Sequence, residues 1–117
     1  MHLIRLFFML FAAFYFGSLQ AKTEMCSQEI AVQVLGSGGP ELDDGRTSSS
    51  YLIWRGEKAE VLLDTGSGSS IQYGLSGAKF QELDVILLSH LHTDHSADLP
   101  SFVKGSFSLR VLPIYGY

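Results

Sequence analysis

The sequence predicts an α/β fold class, and three observations predict it. Short runs rich in β-branched and aromatic residues, IAVQVL at Ile30 to Leu35, YLIW at Tyr51 to Trp54 and VLL at Val61 to Leu63, are bounded by Gly, Ser and charged residues, the pattern of strands separated by turns. Val85-Ile86-Leu87-Leu88 is a continuous apolar run of the kind found in strands buried on both faces. Only two stretches, one before and one after that run, have weak helical character. Several strands with so few helices describe half of an α/β domain rather than a finished one.

Each element follows from its own residues. MHLIRLFFMLFAAFYFGSLQA has a short start bearing Arg5, an unbroken apolar run from Leu6 to Phe16 and an exit through Gly17, Ser18 and Ala21. That run is too short for a bilayer, which takes about 20 apolar residues, and its flanks suit a secretory signal cleaved near Ala21. Residues 1–21 are therefore expected to be a signal peptide and residues 22–117 the domain. The product would be secreted or periplasmic, with no stable membrane insertion after cleavage; an uncleaved anchor is the alternative. Cys26 lacks the small apolar residues that precede a lipidated cysteine. It is the chain's single cysteine, so it has no internal disulfide partner.

The first strand stops at Gly36-Ser37-Gly38-Gly39-Pro40, and a polar loop runs on to Ser50. The polar RGEKAE between Trp54 and Val61 makes an antiparallel hairpin the simplest connection. Asp64 ends the next strand, Gly66 to Ser70 is a Gly/Ser loop, and Ile71 to Phe80 holds one short, Gly-interrupted helix. Pro100 suits the first turn of a helix reaching about Lys104. Leu109 to Tyr115 reads as a last strand.

Charge narrows the partners. Eight Lys or Arg stand against 12 Asp or Glu, a net charge of −4, and removing residues 1–21 takes away only Arg5. Proteins that grip nucleic acid through phosphates cluster their Lys and Arg; here these residues are scattered from Lys22 to Arg110. Nucleic acid is therefore not the expected partner.

Three of the chain's four histidines fall within LSHLHTDH, Leu88 to His95. In an extended backbone residues i and i+2 face the same side, so His90 and His92 can turn toward one point, with Asp94 next on that side. Imidazole nitrogens and carboxylate oxygens are the ligands of zinc and its neighbours. His95, where the backbone turns, can face a second point beside the first. The spacing suits two adjacent divalent metal ions, zinc foremost, with His90 and His92 on one and Asp94 and His95 on the other. Two metals about 3.5 to 4 Å apart are the equipment of a hydrolase, and the window lies where a core strand emerges, as α/β sites do.

LSHLHTDH resembles the HxHxDH signature of the metallo-beta-lactamase superfamily, and VLLDTG resembles its buried Asp-x-Gly element. VLGSGGP through RTSSSYLI, with HLHTDHSADLP and LPIYG, is similar to the branch containing ribonuclease Z and exported arylsulfatase-type enzymes. The resemblance spans about Val32 to Gly116 and implies an αββα sandwich, here its first half. It implies hydrolysis of an ester-type bond by a hydroxide held on two metals, with Asp94 also a candidate for moving a proton. Asp64 matches the carboxylate that orients a ligand imidazole through its other nitrogen. Thr93 departs from ribonuclease Z, where glycine usually precedes the Asp-His pair. The superfamily also needs two further histidines and a bridging aspartate. After His95 the chain has no histidine, and Asp98 is too near in sequence to bridge, so the chain is read as the amino-terminal part of a longer enzyme.

The expected substrate is a small-molecule sulfate or phosphate ester; a ribonuclease Z-type phosphodiesterase is the alternative. Two rivals come from other classes. LLDTGS at Leu62 to Ser67 also resembles the active-site loop of aspartic peptidases, in which a homodimer would pair two copies of Asp64. A non-catalytic zinc-binding module would close a four-ligand site by dimerisation.

Overall fold

The computed structural model describes residues 29–107, 109 and 111–116; the expected signal peptide and Cys26 lie outside them. Five strands form one mixed sheet in the order β1-β2-β3-β4-β5: β1 Ile30–Gly36, β2 Ser50–Arg55, β3 Lys58–Leu63, β4 Val85–Leu88 and β5 Ile114–Gly116. The first three pair antiparallel, as the polar hairpin segment requires. β4 and β5 then add parallel to β3, and parallel neighbours need crossovers over a face of the sheet. One crossover carries α1, Ser69–Leu75, and a 3-10 turn, Phe80–Glu82; the other carries α2, Thr93–Ser96, and α3, Leu99–Ser106.

The crossovers cover one face. Leu52, Leu62 and Ile86, one from each of three adjacent strands, are fully buried there with Leu83, against Tyr73 of α1 and Phe102 of α3. Each such side chain contributes about 1.5 to 3 kcal/mol. Trp54 at the edge of this layer donates from Nε1 to Gln33 Oε1 at 3.0 Å, which satisfies its one polar atom.

The opposite face is apolar and bare. Register places Val34, Tyr51, Leu63, Leu87 and Tyr115 side by side in one row across all five strands, and Val32, Ile53, Val61 and Val85 in the next. Val32 and Val34 are about 60% exposed. Helices on one side and an open apolar plane on the other are the outer half of a sandwich whose second sheet would stack on that plane.

The structure corrects two sequence expectations. Val85–Leu88 is not buried on both faces: Ile86 and Leu88 are buried while Leu87 is 36% exposed, because only the helix side is covered. The last strand does not start at Leu109. It is limited to Ile114–Gly116 by the four-residue β4 beside it, and Val111 just ahead of it is almost fully exposed. The helices shift in smaller ways. The first occupies Ser69–Leu75 rather than starting at Ile71, and the Pro100 helix runs on to Ser106.

Tyr73 offers a test of the helix layer. Its ring meets Phe102 edge-on at 5.5 Å and Phe80 at 5.7 Å, but its buried hydroxyl has no hydrogen-bond partner among the described residues. Burial, with a smaller contribution from the Glu82 charge, pushes its pKa from about 10 up to about 12. The folded state thus holds this proton more tightly than the unfolded chain, so stability is full below about pH 10 and falls as pH rises toward 12. Tyr73→Phe should flatten that alkaline limb in urea melts. At neutral pH it should leave stability unchanged or raise it by up to about 1 kcal/mol, since an unpaired buried group is removed.

Candidate metal centre

The centre forms where β3 and β4, parallel neighbours, end side by side. Asp64 follows β3 and Ser89 follows β4, so the two leave the sheet at the same edge, beyond the carboxyl ends of the strands where α/β sites gather. Asp64 donates its backbone N–H to the Leu87 carbonyl at 2.8 Å and accepts from Ser50 Oγ at 2.9 Å on its own carbonyl. Its backbone sits at φ 59°, a left-handed conformation that among non-glycine residues Asp and Asn tolerate best.

The Asp64 side chain is 3% exposed as a residue, and both of its oxygens are engaged. Oδ1 accepts the Ser89 backbone N–H at 2.7 Å; Oδ2 accepts the Ser89 hydroxyl at 2.8 Å and faces His95 Nδ1 at 2.8 Å. A carboxylate held this way fixes the ring of His95 and leaves its Nε2 directed away. Nε2 lies 3.2 Å from Asp94 Oδ2, so the two groups expected to share an ion are adjacent.

The other two rings gather at the same place. His92 is extended, at φ −61° and ψ 151°, but the backbone turns into α2 at Thr93, two residues earlier than the sequence reading placed the turn, so Asp94 sits in a helical turn and not on the extended face with His90 and His92. His90 stands 4.7 Å from His92 and 4.0 Å from His95, centroid to centroid, while Leu91 between the first two is exposed. Ser96 steadies the bend, donating from Oγ to the Leu91 and His92 carbonyls at 3.1 and 3.0 Å. All five sequence-predicted residues, Asp64, His90, His92, Asp94 and His95, thus meet at one edge of the sheet. The donor set, imidazole nitrogens and one half-buried carboxylate, fits a borderline divalent cation. Among the described residues no three His, Cys, Asp or Glu side chains are grouped closely enough to hold a metal ion by themselves.

Two neighbouring loops hold this arrangement. Thr65 donates its backbone N–H to the His95 carbonyl at 2.8 Å, and Gly66 donates to the Ser49 carbonyl at 3.0 Å. Asp98, excluded as a bridging ligand on sequence grounds, instead braces α1, its Oδ2 accepting from Ser70 N at 2.9 Å and Ser70 Oγ at 2.7 Å. It thereby meets a donor that the first turn of α1 leaves unpaired. Asp94 opens on a cleft of about 310 Å³ lined by Pro40, Leu42, Ser48, Ser67, Thr93 and Ala97, which brings the glycine-rich loop after β1 to the centre's rim.

This geometry removes the peptidase reading. Paired aspartates must face each other across a dimer, whereas the Asp64 carboxylate points inward and is saturated by Ser89 and His95. Sequence reasoning missed Ser89, whose 25-residue separation from Asp64 gives no local pattern; its place directly before the first histidine was the available signal.

Comparison with known proteins agrees with the geometry. The metallo-beta-lactamase superfamily model matches residues 43–107, more than half of the chain, and the chain belongs to that superfamily. Ribonuclease Z of Mycobacterium sp. strain KMS is 40% identical over 70 residues, 60% of this chain and 24% of that protein. The chain therefore spans about a quarter of the length of the curated relatives it matches. Among solved structures, the metallo-beta-lactamase fold protein YhfI from Bacillus subtilis superposes with a TM-score of 0.63 at 31% identity, covering 77% of this chain and 39% of that one. Human tRNase Z, short form, gives 0.62 at 28%, covering 73% and 34%. The α/β fold is thus the first part of a metallo-beta-lactamase domain. Residues 1–21 fall outside what these matches address.

Proposed function

We propose that this chain supplies the first metal-binding part of a hydrolase that cleaves phosphodiester bonds in the manner of ribonuclease Z. The observation that carries this reading is the convergence of His90, His92, Asp94 and His95 on one strand edge, with His95 locked by buried Asp64. His90 and His92 would hold one divalent ion, Asp94 and His95 a second; zinc suits the nitrogen-rich set best. Such ions would supply Lewis-acid activation of water and neutralise charge on a phosphodiester. The remaining work belongs to the chain. Asp64 orients His95, the Asp94 cleft receives the ester, and Asp94 Oδ2 stands where a proton can be taken up.

The names of the relatives shift the substrate preference. Ribonuclease Z and tRNase Z relatives favour a phosphodiester over a sulfate ester, and they weaken the exclusion of nucleic acid drawn from net acidity. That exclusion weighed the charge of a stretch equal to about a quarter of such a protein, too little to decide how the remainder grips RNA. Export through residues 1–21 is retained as part of the proposal on the strength of the leader alone. The described residues contain no helix long and apolar enough to cross a membrane.

The test is metal analysis of the full-length protein, followed by assay against a tRNA-containing transcript, a bis-aryl phosphate diester and an aryl sulfate. About two metals per chain and phosphodiester cleavage are expected. His92→Ala should lower cleavage on the order of 100-fold or more. Sulfatase activity without diester cleavage would return the substrate to the sulfate class, and a metal-free active enzyme would end the proposal.

A further inference from the structure

We propose that Ser89 is a positioning residue of this centre: its hydroxyl, with its proton given to Asp64, sets the tautomer of His90 as Asp64 sets that of His95, so that both rings present Nε2 as the free lone pair. The inference rests on the metal-centre reading above and adds to it a residue outside the HxHxDH pattern.

Proton counting assigns the roles. A serine hydroxyl has one proton to give and lone pairs to accept with, whereas an ionised carboxylate only accepts. Ser89 Oγ lies 2.8 Å from Asp64 Oδ2, so its proton is committed to the carboxylate. His90 Nδ1, 3.1 Å from the same oxygen, must then be the donor. His95 Nδ1 stands 2.8 Å from Asp64 Oδ2 and 3.2 Å from Ser89 Oγ, and it too can only donate. A neutral imidazole carries a single ring proton. With that proton on Nδ1 in both rings, each Nε2 keeps its lone pair for a metal ion, that of His95 lying beside Asp94 Oδ2 at 3.2 Å. Without the hydroxyl, His90 loses its Nδ1 acceptor, and its neutral ring is free to present either nitrogen. His95 still has Asp64.

Ser89→Ala isolates this role, because the backbone N–H that anchors Asp64 Oδ1 at 2.7 Å survives the change. Two readouts are taken on the full chain: long-range proton–nitrogen NMR correlations of the imidazoles without metal, and zinc titration by calorimetry. In the wild type, His90 and His95 should both be Nδ1-protonated. In Ser89→Ala, His90 should become a mixture while His95 is unchanged, and zinc affinity should fall roughly 10- to 100-fold. Ser89→Thr, which restores a hydroxyl, should recover both. An unchanged His90 tautomer in Ser89→Ala would overturn the proposal, as would a threonine variant that behaves like alanine. If the wild type shows the tautomer pattern yet takes up no zinc, the metal reading fails and the hydrogen-bond role of Ser89 stands.

Discussion

Asp64→Ala is expected to destabilise the fold by roughly 3 kcal/mol and to abolish zinc uptake. Two physical effects add. Truncation leaves the Ser89 N–H, the Ser89 hydroxyl and the His95 Nδ1–H without their acceptor; Ser89 is exposed and His95 half-buried, so water replaces part of this bonding and the loss is about 1 to 2 kcal/mol. Alanine must also adopt the φ of 59° that Asp64 holds, at about 1 to 2 kcal/mol. Asp64→Asn separates the two, since Asn accepts the left-handed backbone nearly as well as Asp but offers one acceptor oxygen where two are used. It should lose about half as much stability and still lose zinc affinity. Urea midpoints of the two variants, read with calorimetric zinc titrations, check both. Equal destabilisation by Asn and Ala would show that backbone strain contributes nothing.

Gly66→Ala should be nearly as severe and for a purely steric reason. A Cβ at this position would collide with the Asp94 carbonyl oxygen and lie 2.7 Å from Ser48 Cβ, two neighbours set by backbone that is itself hydrogen-bonded. Neither can retreat without moving the histidine loop or the start of β2. Overpacking of a rigid site costs about 3 kcal/mol, which in a domain of this size lowers the melting midpoint by roughly 12 °C or more. Because Asp94 lies on one side of the clash, zinc affinity should fall with it. A thermal scan that shows less than a few degrees of loss would mean that these loops are looser than the packing implies.

The sequence made the metal loop legible because its information is local. The i, i+2 spacing of His90 and His92 depends on consecutive backbone angles, and the extended conformation of His92 agrees with it, whereas the turn comes at Thr93 and not at His95 as the sequence suggests. Asp64 was reached through resemblance, and its physical role needed the third dimension: it acts on His95 across 31 residues. Ser89 escaped for the same reason, since a serine next to a histidine looks like any turn residue until the carboxylate that takes its proton is in view. The strands of the hairpin were plain from composition. β5 was drawn too long because apolar residues at Leu109 to Leu112 look like a strand but serve the end of a crossover, with Leu112 buried in the core and Val111 in solvent. β4 misled in a different way. A run of four apolar residues states that both sides want cover, and only the helix side has it among the described residues.

The bare side of the sheet has a practical consequence for anyone preparing this chain by itself. Two rows of Val, Ile, Leu and Tyr set in register across the strands form a greasy plate on every molecule, and exposed apolar plates of this kind draw molecules together. Concentrating the sample will therefore favour face-to-face stacking, and light scattering that grows with protein concentration would report this plate finding its own kind.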